Sequence, residues 1–149
     1  MQFALRVKLT ISQLNYRGYQ KLEEHGLKST SKIWLSYVAG YVDGEGCIRW
    51  NNTTPELSIA NTFPYTLYKL SSLYGGKVTH YPAVAPKRSY YRWRVFGDTA
   101  VSLLQEILPY LWEKRAQADL AIAIKGAEPG HRRDGMIQQL SRFKRIDYE

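Results

Sequence analysis

The 149-residue sequence predicts one α+β domain in which helices cover one face of a four-stranded antiparallel sheet. Two observations predict this class. Four short segments alternate apolar and polar residues, as half-buried strands do. Helical segments with apolar stripes accompany them in the order helix, strand, strand, helix, strand, strand, followed by three helices. We assign the domain to residues 31–149 and interpret residues 1–30 as an amino-terminal arm.

The first helix of the domain has a face that is nearly bare of side chains. Ser31 can cap its start, and Ser36, Gly40 and Gly44 follow at four-residue spacing, with Ala39 beside them. Residues four apart share a helix face, and each glycine costs a helix about 1 kcal/mol. Two interpretations account for such a face: a close helix crossing inside one core, or the packing of two copies of this helix in a homodimer.

The same helix ends in two carboxylates, Asp43 and Glu45, each followed by a glycine. Pairing two copies of the helix would bring acidic ends together, where like charges repel unless a cation lies between them. Carboxylate oxygens are ligands that hard divalent cations such as Mg²⁺ accept. The sequence therefore predicts a metal site at this helix end.

The other elements follow in a simple order. The strands are expected at residues 47–53, 56–62, 77–84 and 89–96, with a break at Pro55 and a helix opened by Pro64 between the two pairs. The helix after the fourth strand is expected to be capped by Asp98 or Thr99. A further helix is expected at residues 112–125, and a last helix at about 135–144 after a polar loop at 127–135. The first two strands are expected to form a hairpin.

The net charge of +8 comes from two parts of the chain: residues 1–30 contribute +3, and residues 76–97, with five basic residues and no acidic residue, contribute +5. The strand at 89–96 turns Tyr90, Arg92 and Arg94 to the face opposite its core residues. Arginine holds phosphates and reads guanine edges. A solvated sheet face would usually mix in acids, whereas this face is expected to carry none, so we expect it to bind nucleic acid. The candidate contacts are Arg49, Asn51, Ser58, Lys77, Thr79, Tyr81, Lys87, Arg88, Tyr90, Arg92 and Arg94.

Several other classes of protein are disfavoured. No run approaches the roughly 20 apolar residues that a membrane helix needs, and Arg6 and Lys8 interrupt any secretory signal at the amino end. A single cysteine, Cys47, excludes an intrachain disulfide and fits a reducing interior. We therefore expect an intracellular protein with no membrane partner. The three histidines are scattered, so no zinc site is indicated.

Residues 37–46 resemble the motif of the LAGLIDADG homing endonucleases. The predicted order of elements also matches that family's αββαββα fold with additional carboxyl-terminal helices, so the resemblance covers about residues 31–126. A second segment, 108–120, is similar to the part of the single-motif, homodimeric members that carries an active-site lysine, which falls on Lys114.

The resemblance implies that the protein hydrolyses phosphodiesters in double-stranded DNA with a divalent metal, usually Mg²⁺, with Mn²⁺ or Ca²⁺ as substitutes and no small-molecule cofactor. It implies that Glu45 is the metal ligand, the Gly44 carbonyl an auxiliary ligand and Asp43 a second candidate. Lys114 would offset charge on the phosphate, and Asn61 would belong to the metal–water network. One motif per chain implies a homodimer on a nearly palindromic target, with Ser36, Ala39, Gly40 and Asp43 at the interface.

Two functional alternatives remain open from the sequence. The same fold can serve as a DNA-binding regulator without catalysis, and some members of the family act as maturases that help an intron RNA fold. Cleavage of DNA with Mg²⁺ distinguishes the first, and preference for structured RNA over duplex DNA distinguishes the second.

Overall fold

The structure, a computed structural model, describes residues 31–143, so the proposed amino-terminal arm lies outside the described residues. The elements are α1 Lys32–Glu45, β1 Gly46–Asn51, β2 Thr54–Asn61, α2 Tyr65–Tyr74, β3 Lys77–Tyr81, β4 Tyr90–Phe96, α3 Gly97–Ile107, a 3₁₀ turn Leu108–Tyr110, α4 Arg115–Gly126 and α5 His131–Arg142. This order confirms the predicted class, αββαββα followed by two further helices. None of the helices within 31–143 is long and apolar enough to cross a membrane.

The four strands form one antiparallel sheet in the order β1-β2-β4-β3. The predicted hairpin between β1 and β2 is confirmed, with Asn51 opposite Thr54. The predicted break at Pro55 is wrong: Pro55 is the second residue of β2 and is paired with Trp50. Proline is tolerated near the start of a strand, where few ladder hydrogen bonds are lost.

The hydrophobic core lies between the helices and one face of the sheet. The alternation predicted in β4 is confirmed, because Trp93 and Val95 are buried there. The indole N–H of Trp93 donates to the carbonyl of Gly75 at 2.9 Å, so this large side chain is buried without losing its hydrogen bond. The sheet and α1 contribute these other core residues: Trp34, Val38, Ala39, Val42, Ile48, Leu57 and Ile59.

The carboxyl-terminal helices differ from the sequence-based boundaries. Helix α3 begins at Gly97 without a side-chain cap, and Asp98 lies in its first turn, where a carboxylate interacts favourably with the helix dipole. Helix α4 begins at Arg115, three residues later than expected. Helix α5 begins at His131, inside the segment expected to be a loop. Tertiary contacts account for α5: Leu140 is buried, and the Arg133 guanidinium lies 4.7 Å from the Trp50 ring centroid.

The turn between α2 and β3 gives a stability prediction. Gly75 and Gly76 have φ values of +75° and +83°; a Cβ on Gly75 would meet open space, whereas a Cβ on Gly76 would overlap the Arg94 carbonyl. Gly75, with ψ −157°, lies in a backbone region that essentially only glycine adopts, so we expect Gly75→Ala to cost about 2 kcal/mol for its backbone alone. Gly76→Ala should cost about 4 kcal/mol, because overpacking against the Arg94 carbonyl adds to the cost of a positive φ. Urea denaturation measures both, and equal losses would contradict the close packing of β3 on β4.

Candidate metal centre and nucleic-acid interface

The carboxyl end of α1 brings a carboxylate to the edge of the sheet. Ser31 caps the helix as predicted, since its Oγ accepts the Trp34 N–H at 3.1 Å. The chain passes from Glu45 directly into β1 through Gly46, where a Cβ would lie 2.6 Å from the Val42 carbonyl oxygen. Only glycine fits so close a helix-to-strand transition. The Glu45 side chain is exposed there.

Asn61 lies in the same open cleft as Glu45, which Ala60, Thr62 and Tyr90 also line. The Asn61 Oδ1 accepts the Phe63 N–H at 3.0 Å, which fixes the orientation of the amide. A hydrogen bond also joins this amide to the Tyr41 hydroxyl. Burial raises the pKa of Tyr41, while the bond to Asn61 lowers it, so the phenol stays protonated at neutral pH.

Asp43 is bound within the protomer. Its Oδ2 accepts the Trp112 N–H at 2.8 Å, and its Oδ1 accepts the Lys114 N–H at 2.9 Å. The carboxylate thus satisfies backbone donors just before α4, 71 residues away along the chain. Both of its oxygens are engaged by the loop before α4, so Asp43 has a structural role within the protomer. Asp43 as a second candidate metal ligand and as a residue of the dimer interface stays a prediction.

Lys114 is held at the end of α1. It occupies the cap position before α4 instead of a place inside a helix, and it is partly buried. Its Nζ donates to the backbone carbonyl of Asp43. Carbonyls at a helix carboxyl end carry partial negative charge, which favours a cation there. The contact brings an ammonium group close to the turn that carries Gly44 and Glu45.

One protomer supplies a single exposed carboxylate of the kind that Mg²⁺ accepts, so its donor set fits only part of a magnesium site. Mg²⁺ accepts one or two carboxylates and keeps several waters, and the Glu45 carboxylate stands exposed beside backbone carbonyls of the helix end. Within residues 31–143, no group of three or more His, Cys, Asp or Glu could hold a metal ion.

The bare face of α1, defined by Ser36, Gly40 and Gly44, is exposed, and the large side chains of Ile33 and Tyr37 lie exposed next to it. A Cβ on Gly40 or Gly44 would meet nothing within 4 Å among the described residues, so no crossing inside the described core requires these glycines. Ile33 and Tyr37 are 71% and 50% exposed. Ala39 was expected on this face, but its side chain is fully buried in the protomer's own core.

The predicted nucleic-acid contacts lie on the sheet face opposite the helices, which we call the basic face. Cross-strand register places Lys77 opposite Arg94, Thr79 opposite Arg92, Tyr81 opposite Tyr90, and Ser58 opposite Arg94. Arg49 and Asn51 continue this face on β1, and Lys87 and Arg88 are exposed in the β3–β4 connection. The rings of Tyr81 and Tyr90 stack at 4.8 Å, with the Arg92 guanidinium 5.6 Å from each.

The expectation that this face carries no acid is wrong, because Glu56 lies on it. Leu57 and Ile59 are buried in the core, so the alternation of β2 turns Glu56 to the basic face. This alternation can be read from the sequence, so the position of Glu56 on the basic face was predictable. The pairing of Glu56 with Arg49, which stands directly opposite on β1, depends on the register of the hairpin.

Solved structures share this arrangement of helices and strands. The homing endonuclease I-CvuI matches with a TM-score of 0.59 at 19% identity, over 82% of this chain and 87% of its own. The archaeal intron-encoded homing endonuclease I-Vdi141I matches with a TM-score of 0.53 at 13% identity, over 75% and 97%. I-TnaI, another homing endonuclease, matches at 0.50 and 21%, over 74% and 93%.

The chain has the LAGLIDADG homing-endonuclease fold. The resemblance carried by residues 37–46 is thus confirmed at the level of the fold. Neither a protein-family model nor a curated protein matches the sequence. At these identities the similarity establishes the fold alone, and the chemistry depends on the residues of this chain.

The role of Asp43 gives a second prediction. Asp43→Ala leaves the N–H groups of Trp112 and Lys114 without their acceptor, so we expect it to lower the free energy of unfolding by about 2 kcal/mol. Glu45→Ala, on the same turn but exposed, should change it by less than about 0.5 kcal/mol. Chemical denaturation of both variants measures the difference. If Asp43→Ala leaves the free energy of unfolding unchanged, the α1–α4 connection does not depend on this carboxylate.

Proposed function

We propose that the protein is a site-specific endonuclease that hydrolyses double-stranded DNA with a divalent metal, as a homodimer. One observation carries the proposal: the Lys114 ammonium group is anchored to the Asp43 carbonyl, two residues before the exposed carboxylate of Glu45, at the edge of a sheet whose open face is basic. The fold neighbours support it. I-CvuI is bound to DNA targets in the presence of magnesium or calcium, and I-Vdi141I is bound to DNA.

The homodimer follows from the incompleteness of one chain. A single Glu45 is a sparse ligand set for Mg²⁺, and the bare face of α1 leaves apolar surface in water. Ile33 and Tyr37 are exposed, and Gly40 and Gly44 would let a second backbone approach closely. Two-fold pairing along this face brings the two helix ends, and therefore two copies of Glu45, together. A two-fold dimer in turn favours a nearly palindromic target.

Each residue of the site has a distinct task in this chemistry. Glu45 would hold the metal, with the Gly44 carbonyl beside it, and the metal would activate water and stabilise the leaving oxygen. Lys114 would offset negative charge on the scissile phosphate. Asn61, whose amide is fixed by Phe63 and Tyr41, would orient water at the metal. Activity on cellular DNA would place the protein inside a cell, in agreement with the location expected from the sequence.

The basic face would hold the duplex. A curved pair of strands can enter the major groove of B-DNA, and the outward side chains of β1, β2, β3 and β4 would then meet phosphates and base edges. Lys87 and Arg88, exposed in the connection between β3 and β4, would reach the backbone beyond the sheet.

The first test separates binding from cutting. We expect Glu45→Gln to bind duplex DNA like the wild type in Ca²⁺ and to cut at least about 10²-fold more slowly in Mg²⁺. A pool of randomised duplexes serves as substrate, with gel shift and sequencing of cut ends as readouts. Glu128→Gln, an exposed acid beyond α4, is the matched control and should cut normally.

Other results would contradict the proposal in identifiable ways. Equal loss of binding and cutting in Glu45→Gln would remove Glu45 from the metal site. A wild-type protein that binds duplex DNA without cutting it in any divalent metal would be a DNA-binding regulator. Preference for structured RNA over duplex would indicate a maturase.

The second test concerns the pairing of α1. Gly40→Leu should fold normally, because its side chain meets open space in the protomer and leucine favours a helix over glycine by about 1 kcal/mol. It should nevertheless block the approach of a second helix, giving a monomer by sedimentation equilibrium and no cleavage. Gly135→Leu, an exposed glycine of α5 with open space around it, is the matched control. A Gly40→Leu variant that remains dimeric would exclude this face as the interface.

A further inference from the structure

The basic face includes one buried carboxylate, that of Glu56, which has no role in the chemistry proposed above. Glu56 is only 1% exposed although β2 turns it away from the hydrophobic core. Arg49 stands opposite it on β1, and Phe96 stands opposite it on β4. Buried acids are rare unless they are paired with cations or hydrogen-bond donors.

The two oxygens of Glu56 hold different partners. Oε2 accepts hydrogen bonds from Arg49 Nε at 3.0 Å, Arg49 Nη2 at 2.8 Å and Asn51 Nδ2 at 2.9 Å. Oε1 faces Arg94 Nε at 3.7 Å, and both of these atoms are buried without a hydrogen-bond partner among the described residues. One carboxylate therefore fixes Arg49 and Asn51 firmly and attracts Arg94 across the strand.

An acid at this position works against simple affinity for DNA. A negative charge among the phosphate-binding side chains lowers the electrostatic attraction that supplies non-specific binding. What the carboxylate provides is orientation: it engages one edge of the Arg49 guanidinium, while that side chain stays 44% exposed and the Arg94 side chain 32% exposed. The planar fork of arginine then presents its remaining donors in a fixed direction.

We propose that Glu56 is a positioning residue for sequence recognition, which sets the base preference of the basic face through Arg49 and Arg94. A contact to phosphate tolerates a mobile side chain, whereas a bidentate contact to guanine O6 and N7 requires the fork in one plane and one direction. The base pairs read by this cluster are accordingly G·C pairs in the major groove. The inference rests on the proposed DNA binding and assigns a specificity determinant within it.

The test measures base preference instead of activity alone. Randomised duplexes are selected in Ca²⁺ by the wild type and by Glu56→Gln, which keeps the shape of the side chain. The variant should lose about tenfold discrimination at a small set of G·C positions. Its affinity for random duplex at low salt should rise, because one negative charge has gone. Glu106→Gln, an exposed acid of α3 with the same charge change, should leave the base preference intact.

A second variant decides the matter if Glu56→Gln does not fold. Arg49→Lys alters an exposed side chain, keeps the positive charge and removes the fork. It should flatten preference at a subset of the same positions, because lysine keeps the charge and lacks the planar guanidinium that contacts two atoms of one base. In the double variant, the Glu56→Gln effect should disappear at the positions that Arg49 reads.

The failures of the two proposals can be told apart. A wild type that neither binds nor cuts duplex DNA overturns the proposed function together with this inference. A wild type that binds and cuts, with an unchanged base preference in Glu56→Gln and Arg49→Lys, overturns the inference alone. A uniform loss of affinity across all sequences in both variants also overturns it, because Glu56 would then only support the fold.

Discussion

The contact between the Asp43 carboxylate and the backbone before α4 is the interaction on which the candidate site depends. Two N–H groups, those of Trp112 and Lys114, converge on one side chain of α1. The same contact brings the Lys114 ammonium to the Asp43 carbonyl. Without it, a cation and a carboxylate that are far apart in sequence would have no fixed relation. The motif therefore has two acids with different tasks: one holds the structure and the other stays exposed.

The basic face shows a related division between charge and geometry. Its arginines and lysines attract a polyanion. This electrostatic attraction does not depend on the base sequence, and it does not require the side chains to be held in one orientation. Glu56 lowers that attraction and restricts the side chains that remain. The stacked rings of Tyr81 and Tyr90 also restrict Arg92 at the other end of the sheet, because they limit the directions in which its guanidinium can turn. Net charge and side-chain order are thus separate properties of this surface.

The parts of the fold that depend on local pattern could be predicted from the sequence. The alternation around Trp93 predicted the core and basic faces of β4, and Ser31 predicted the start of α1. The errors arose where tertiary contacts override local signals. Residues 131–142, part of which were expected to form a loop, form helix α5, which packs on β1. Ala39 is next to Gly40 in sequence, but its side chain is buried in the core. The pairing of Asp43 with Trp112 joins distant segments, so no local pattern could reveal it.

The proposed homodimer requires that two copies of α1 pack along Gly40 and Gly44, so that the two copies of Glu45 come together. Disulfide trapping tests it most directly, because a bond forms only when two Cα atoms come within about 7 Å. In a Cys47→Ser background, Gly40→Cys should oxidise to a covalent dimer at concentrations where Gly135→Cys, at an exposed glycine of α5, stays monomeric. The account is contradicted if Gly40→Cys stays monomeric, or if both variants cross-link equally.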